Sequence, residues 1–176
     1  MNNEENFRQF VELRLGISDM EIELLARSDT LHATDLMLGQ TQATLEIFSR
    51  ELDPELYDRQ EFLDAVKQLC LRNRKARIRV LVQDPQPAVK RSHRLIELSR
   101  RLSSSIEIRQ PNPDYSRYNE AFMIADECGL VHFPLADQFE GTSNFYNPVE
   151  ARRKLDFFNE VWDRSGPQAE FRRLHI

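Results

Sequence analysis

The apolar positions of this chain change period several times, and the changes predict alternating strands and helices. Residues 44–49, 78–82 and 105–108 are short apolar runs with β-branched side chains, which predicts three strands. Between them, residues 58–72 repeat apolar positions at steps of three and four, as an amphipathic helix does, and residues 89–102 predict a second, basic helix. Strands joined through helices pair in parallel, so we expect a parallel arrangement here.

The second half of the chain predicts a hairpin followed by a helix. Residues 121–125 and 130–134 are apolar runs separated by Glu127-Cys128-Gly129, a spacing typical of two antiparallel strands. A helical run then ends near Trp162. The pattern therefore predicts an α/β fold with a mixed, mostly parallel sheet flanked by helices.

The first 42 residues carry weaker signals. Residues 10–15 alternate in character, which predicts a short strand closed by Gly16. Ser18 and Glu21 have the spacing of a capping box, so we expect a short helix to begin there. A second helix is predicted over residues 31–42.

The length of 176 residues and the ordinary hydrophobic content fit one compact domain. We divide it into an N-terminal strand-and-helix extension (1–30), a main domain (31–165) and a C-terminal tail (166–176). No apolar run approaches the roughly 20 residues that span a bilayer, and the N-terminus does not resemble a secretory signal. We therefore expect a cytoplasmic protein with no membrane contact. Cys70 and Cys128 lack metal-ligand spacing, which favours two reduced thiols.

Charge is distributed unevenly along the chain. Residues 72–101 carry a net charge of +8, so the other residues carry −13 of the total of −5. Such asymmetry indicates either an anionic partner or a solvated face that acidic groups elsewhere in the fold neutralise. The candidate anion-binding side chains are Arg72, Arg74, Lys75, Arg91, His93 and Arg94.

The order of these elements over residues 30–165 resembles one half of a phospholipase D superfamily fold. The strand at 45–52 looks like the first strand of that fold, and the segment 77–84 looks like the second. The spacing of Phe158 and Trp162 is similar to the closing helix of the family. The chain also resembles an uncharacterised domain that is sometimes fused to GNAT-type acetyltransferases.

The family is marked by the motif His-x-Lys-x4-Asp. When Asp126 is taken as the Asp, the His position is Asn119 and the Lys position is Ala121. The resemblance implies that the His attacks phosphorus or protonates the leaving group, while the Lys neutralises phosphate oxygens. An amide and a methyl group supply neither function, so we expect no catalysis. Asp126 also fits a structural turn residue at the end of a strand.

The leading hypothesis is a catalytically inactive binding or protein-interaction module of unknown ligand or protein partner. The candidate ligand cleft is flanked by Tyr115, Tyr118, Ser143 and Asn144. Half-domains of this family pair about a two-fold axis, so the resemblance implies a homodimer. No metal cluster or phosphate-binding glycine loop is recognisable, and we expect no cofactor and no metal.

Two alternatives remain open from the sequence. One is binding of nucleic acid or a phosphate ligand through residues 72–101, although aromatic side chains are not interleaved with the basic ones. The other is a divergent phosphodiesterase that uses another histidine, His132 or His93. The family's Gly-Ser-x-Asn element has no counterpart at its usual place. Residues 141–144 look similar but arrive seven positions late, which favours a loop.

Overall fold

The computed structural model describes Phe10 and residues 12–166. In this part of the chain, seven strands form one sheet in the order β1-β7-β6-β5-β2-β3-β4. The strands are β1 (Ile22–Leu24), β2 (Thr44–Ser49), β3 (Arg77–Val82), β4 (Ile106–Arg109), β5 (Ala121–Ala125), β6 (Gly129–Phe133) and β7 (Gly141–Asn144). The helices are α1 (Arg27–Gln40), α2 (Pro54–Tyr57), α3 (Gln60–Arg72), α4 (Gln86–Lys90), α5 (Arg94–Arg101) and α6 (Pro148–Asp163), with a 3-10 turn at Pro113–Tyr115.

The sheet has a parallel part and an antiparallel part. Strand β2 pairs in parallel with β3, and β3 with β4, as the helical crossovers require. On its other side β2 pairs antiparallel with β5, which continues through β6 and β7 to β1. The predicted mixed α/β sheet is thus confirmed. Among the described strands, however, four of the six pairings are antiparallel, because the hairpin extends into two further strands.

Each face of the sheet has its own apolar core. The larger core lies under α1, α3 and α5, where side chains such as Met37, Phe62 and Leu95 are fully buried. The smaller core lies under α6 and contains Phe48 and Phe122 from the strands. Alternation along β2 and β5 divides their side chains between these two cores, since successive residues of a strand point to opposite faces.

Helix α6 crosses its face of the sheet from β6 toward β4. Ala151 and Leu155 pack in the core with Leu130 of β6, whereas Asn159 accepts a hydrogen bond from Arg79 of β3. The helix therefore leaves two recesses on this face. One recess lies at the ends of the parallel strands, which we call the carboxyl edge of the sheet. The other recess lies at the starts of these strands, which we call the amino edge.

Of the predictions for the N-terminal part, the helix over residues 31–42 is confirmed as α1, with an earlier start, whereas the strand at 10–15 and the short helix after Ser18 were wrong. Residues 12–17 form turns rather than a strand, and Val11 lies outside the described residues. The segment after Ser18 contains β1, because Ile22 and Leu24 alternate with exposed residues and pair with β7. The helix begins only at Arg27, where Asp29 Oδ2 accepts the backbone N–H of Ala26 at 3.0 Å.

Two further elements differ from the predictions. The single basic helix is interrupted, because Ser92 has a φ of 53° and the His93 side chain caps the next helix through Leu95 N. Residues 141–144 form the strand β7 rather than a loop. Gly141 permits this pairing, since a Cβ there would collide with the backbone carbonyl of His132.

The other strands lie within one residue of their predicted ends. Of the predicted tail, residues 167–176 lie outside the described residues. None of the helices between residues 10 and 166 is long and apolar enough to cross a bilayer.

Candidate functional site

The recess at the carboxyl edge is a cleft of about 750 Å³, which we call the carboxyl-edge cleft. It is formed by the segments that follow β2, β3 and β4, and by the end of α6. In open α/β sheets, ligands bind outside the carboxyl ends of the parallel strands. The side chains that give it chemical character are Arg50, Glu51, Gln83, Asp84, Gln110, Asn112, Tyr115 and Arg164.

Gln83 organises the floor of this cleft. Its Nε2 donates to the carbonyl oxygens of Tyr115 at 3.1 Å and Tyr118 at 2.8 Å, which fixes the loop after β4. Gln110 in turn donates to the backbone oxygen of Gln83 at 2.9 Å. The Gln83 Oε1 is buried and has no hydrogen-bond partner among the described residues. It is therefore a built-in acceptor at the cleft.

Asn119, at the position that the resemblance assigns to the nucleophilic His, lies next to this cleft. Its side-chain Oδ1 accepts a hydrogen bond from the guanidinium of Arg50, a cleft residue. Its backbone oxygen accepts the N–H of Ala136 at 2.8 Å. The amide thus holds an arginine in place, and it has no lone pair suited to attack on phosphorus.

Ala121 and Asp126 lie at opposite ends of β5. Ala121 is the first residue of the strand, is buried, and contributes to the larger core. Asp126 follows the strand with a φ of 47° and accepts the backbone N–H groups of Gln42, Ala43 and Thr44 at 2.7–3.0 Å. Its carboxylate therefore braces the start of β2 at the amino edge, far from Asn119.

The structure does not bring the four candidate cleft residues together. Tyr115 lines the carboxyl-edge cleft, and Tyr118 packs beside it against Phe157, with ring centroids 4.3 Å apart. Ser143 and Asn144 lie in β7, two strands away from β5. The expectation of one cleft failed because residues 141–144 pair with β6 as a strand.

The candidate anion-binding residues lie at two separate places. Arg72, Arg74 and Lys75 lie at the amino edge before β3, where Arg72 donates to the Thr41 carbonyl at 3.2 Å. Arg91 and Arg94 lie beyond the carboxyl end of the same strand. A six-residue strand of roughly 20 Å separates the two groups, so they do not form one continuous basic surface.

Ion pairs within the fold neutralise part of the positive charge of residues 72–101. Arg94 binds Asp58, with Nε and Oδ1 2.6 Å apart, and Arg79 binds the buried Glu46 at 2.9 Å. His93 is 1% exposed, and burial lowers the pKa of its imidazole although nearby carboxylates oppose this. His93 is therefore a buried, uncharged capping residue near neutral pH rather than an exposed cation.

A polar cluster of Tyr118, Glu120, His132 and Lys154 lies on the α6 face of the sheet. One of its members, Glu120, directly follows Asn119 in the sequence. His132 Nε2 lies 2.5 Å from Glu120 Oε2, and Lys154 Nζ donates to the same oxygen. Lys154 Nζ also lies 3.4 Å from the hydroxyl of Tyr118. The cluster ties α6 to the β5–β6 hairpin through ionic contacts at the edge of the smaller core.

Burial and hydrogen bonding act in opposite directions on Glu120. Partial burial raises its pKa, but the hydrogen bonds from Lys154 and His132 lower it more, so the net pKa is below the ordinary glutamate value. Burial raises the pKa of Tyr118, which keeps the phenol protonated. Glu120 is therefore ionised near neutral pH and serves as the acceptor of the cluster.

Sequence reasoning missed Glu120 and Lys154, although both left a signal. The hairpin was predicted, and its observed register pairs Phe122 with His132, which places Glu120 on the same face and near His132. Lys154 occupies an apolar-face position of α6 between Ala151 and Leu155 and is buried. A lysine on the apolar stripe of a helix requires an anionic partner.

Residues 10 and 12–166 contain no group of three or more His, Cys, Asp or Glu side chains arranged to hold a metal ion. The candidate chemistry of the carboxyl-edge cleft rests on guanidinium, carboxylate, amide and hydroxyl groups.

Comparison with solved structures identifies the fold. The archaeal chromatin protein TrmBL2, described as showing a novel mode of DNA binding, aligns over 93% of this chain and 59% of its own, with a TM-score of 0.63 and 12% identity. Nuc from Salmonella typhimurium, a phospholipase D family member, aligns over 86% of this chain and 97% of its own (TM-score 0.58, 12% identity). NucT from Helicobacter pylori aligns over 85% and 98% (TM-score 0.57, 8% identity).

At these identities the likeness shows the fold alone, and the chain has a phospholipase D-like fold. The chain spans 59% of the archaeal protein's length. Residues 26–174 match the family DUF7931, described as a domain of unknown function, and the chain belongs to that family. A search among curated proteins finds no match.

Proposed function

We propose that this chain is a catalytically inactive phospholipase D-like domain whose carboxyl-edge cleft binds a small ligand with a phosphate or carboxylate group. The observation that carries the proposal is the contact between Arg50 and Asn119. At the position of the family's nucleophile, an amide orients a cation that lines the cleft. Ala121, at the position of the family's lysine, lies in the core. These replacements favour recognition of an anion over attack on it.

The lining of the cleft supports a small ligand of mixed polarity. Arg50 and Arg164 supply guanidinium donors, which suit the planar oxygens of carboxylate and phosphate. The acidic side chains of Glu51 and Asp84 line the same cleft, and they disfavour a long polyanion. The unpartnered Oε1 of Gln83 accepts a donor group of the ligand. A ligand with one anionic group and neighbouring hydroxyl or amino groups matches the arginines, the acidic side chains and the Gln83 oxygen of the cleft.

Calorimetric titration with inorganic phosphate and with a nucleoside monophosphate tests this proposal. We expect saturable binding to the unmodified protein and loss of most of the affinity in Arg50→Ala. Arg14→Ala, which removes an exposed arginine outside the cleft, is the matched control and retains binding. Equal affinity of the two variants, or no binding of either probe, contradicts an anion site at Arg50.

The loss of catalysis is tested with a generic phosphodiester such as bis(p-nitrophenyl) phosphate. We expect no hydrolysis by the purified protein. The contact of His132 with Glu120 is the specific observation that favours the alternative, a divergent phosphodiesterase, because a carboxylate orients catalytic imidazoles in many enzymes. Hydrolysis that disappears in His132→Ala but persists in His93→Ala supports that alternative. Hydrolysis that both variants retain indicates a contaminant.

Nucleic-acid binding is the second candidate function. The likeness to a DNA-binding chromatin protein favours it, whereas the division of the basic residues between two edges of the sheet does not. Homodimerisation, a protein partner and fusion to an acetyltransferase stay predictions from the resemblance. A cytoplasmic location is likewise a prediction.

A further inference from the structure

The second recess of the α6 face, at the amino edge, is independent of the carboxyl-edge cleft. It has a volume of about 590 Å³ and lies between the starts of β2, β3 and β4, the turn after β5 and the last residues of α6. We call it the amino-edge cavity. The side chains that line it include those of Thr44, Glu46, Arg77, Glu127, Trp162 and Asp163.

Two buried oxygen atoms of this cavity have no hydrogen-bond partner among the described residues. They are Thr44 Oγ1 and Glu46 Oε2. Thr44 and Glu46 are two residues apart on β2, so their side chains point to the same face of the sheet. Glu46 is 2% exposed, and a buried carboxylate oxygen without a donor is rare in folded proteins. The carboxylate oxygen of Glu46 is an acceptor, and the Thr44 hydroxyl can accept as well as donate, so one donor group can serve both atoms.

The partner of Glu46 within the fold is Arg79, whose guanidinium is held by several contacts. Arg79 donates to the other carboxylate oxygen, Oε1, at 2.9 Å and to Asn159 Oδ1 at 2.9 Å. Its guanidinium also lies 5.0 Å from the ring centroid of Phe158 and 5.5 Å from that of Trp162. These four contacts fix Arg79, and the buried Oε2 has no donor among the described residues.

The charge of the cavity favours a cationic donor. The Glu46–Arg79 pair is neutral as a unit. The other charged lining residues are Glu107, Glu127 and Asp163 against the guanidinium of Arg77, so the lining is net acidic. Outside the lining, Arg109 pairs with Glu107, and Arg152 lies 4.0 Å from Glu127. Burial raises the pKa of Glu46, although Arg79 opposes this. A second cation beside Oε2 would lower the free-energy cost of keeping the Glu46 carboxylate ionised.

We propose that the amino-edge cavity is a second binding site, for a ligand or peptide side chain that carries a primary ammonium or guanidinium group. The donor hydrogens bind Glu46 Oε2 and Thr44 Oγ1, and Glu127 and Asp163 neutralise charge at the mouth. This class of ligand is opposite in charge to that of the carboxyl-edge cleft. The two sites lie on either side of α6 and do not share a lining residue among those described.

Trp162 is the only tryptophan of the chain, and it lines the cavity, so its fluorescence reports on occupancy. Agmatine, which carries both cationic groups, and putrescine are the probes. Butanol is the uncharged control. We expect a saturable change in Trp162 fluorescence with both amines and none with butanol. No saturable change with either amine, or the same change with butanol, overturns the proposal.

Variants locate the site. Thr44→Val removes the unpartnered oxygen at nearly constant shape, and Glu127→Gln removes a charge at the mouth. We expect each to weaken agmatine binding roughly three- to tenfold. Glu23→Gln, on the distant strand β1, is the matched control and keeps full affinity. Unchanged affinity in both Thr44→Val and Glu127→Gln overturns the placement. The test rests on these two variants because Glu46 also holds Arg79, and its replacement endangers the fold.

Discussion

At the scale of single residues, the two positions that the resemblance aligns with the family's His and Lys have different environments. Asn119 is exposed and engages Arg50 at the carboxyl-edge cleft. Ala121 is 5% exposed and packs in the larger core at the start of β5. A lysine at position 121 of this chain would therefore have its ammonium placed against apolar side chains.

We predict that Ala121→Lys lowers the free energy of unfolding by about 2–4 kcal/mol, since it buries an unpaired charge. Ala43→Lys introduces the same group at an exposed position just before β2 and changes stability by about 0.5 kcal/mol or less. Urea denaturation measures both. Equal stability of the two variants contradicts the placement of Ala121 in the core.

Asp126 is assigned a structural role. Asp126→Ala leaves three backbone N–H groups without their charged acceptor, and we expect a loss of about 2–3 kcal/mol of unfolding free energy. Asp137→Ala, at an exposed loop position, is the control and is nearly neutral. Phosphate affinity is unchanged in Asp126→Ala, because the residue lies at the amino edge. A stable variant that loses phosphate binding contradicts this account.

At the scale of elements, the accuracy of the sequence predictions depended on the strength of the local pattern. Strand β2 and helix α3 were predictable because a short apolar run with a β-branched residue and a 3.6-residue period each leave few alternatives. Strands β1 and β7 were not, since each has three or four residues and is defined by pairing with strands distant in the sequence or with each other. The break at Ser92 depends on the buried cap by His93, which no local pattern shows.

The same distinction applies to the candidate site. Asn119 was found because a motif position marks it. The cleft residues Gln83 and Gln110 follow strands without any pattern of their own, and only the parallel pairing of β3 and β4 brings them together. Ser143 and Asn144 were misplaced because residues 141–144 were expected to form a loop, whereas they form a strand between β6 and β1.

Helix α6 covers the smaller core, and its two faces predict different sensitivities. Phe158 is fully buried against Phe122 and Trp162, and we expect Phe158→Ala to lower the unfolding free energy by about 3–5 kcal/mol. Val149 lies on the exposed face of the same helix, and Val149→Ala is the matched control with an effect of about 0.5 kcal/mol or less. Chemical denaturation compares the two. A mild Phe158→Ala variant contradicts the packing of α6.

The polar cluster makes the attachment of α6 dependent on pH. The folded pKa of Glu120 lies below its unfolded value near 4.5. Its stabilising contribution is therefore fully present above that value and is lost as the pH falls through the folded pKa. We predict that stability falls less steeply with acidification in Glu120→Gln than in the unmodified protein. Identical slopes below about pH 4.5 contradict an ionised Glu120 in the cluster.

At the scale of the whole molecule, charge is organised by edge rather than by segment. The basic residues of 72–101 are divided between the amino and carboxyl edges of the sheet. Two of them, Arg79 and Arg94, are held in ion pairs. We therefore predict no retention of a labelled single-stranded oligonucleotide at about 50 mM salt, where screening is weak. Retention that decreases as salt is added, and that Arg74→Ala or Lys75→Ala reduces, contradicts this prediction.

The resemblance also predicts that two copies pair about a two-fold axis. Light scattering at micromolar concentration is expected to give about twice the chain mass of 20.8 kDa. A monomer under these conditions removes the homodimer from the account but leaves both proposed binding sites in place, since each is built from one chain.

The measurement that tests the central claim most directly is an amide NMR titration of the unmodified protein and Arg50→Ala with inorganic phosphate. The account predicts shifts confined to the carboxyl edge, at Arg50, Gln83 and the segment 110–115, and their loss in Arg50→Ala. Shifts elsewhere in the chain only, no shifts at all, or an undiminished response in Arg50→Ala would contradict an anion-binding cleft at the carboxyl edge.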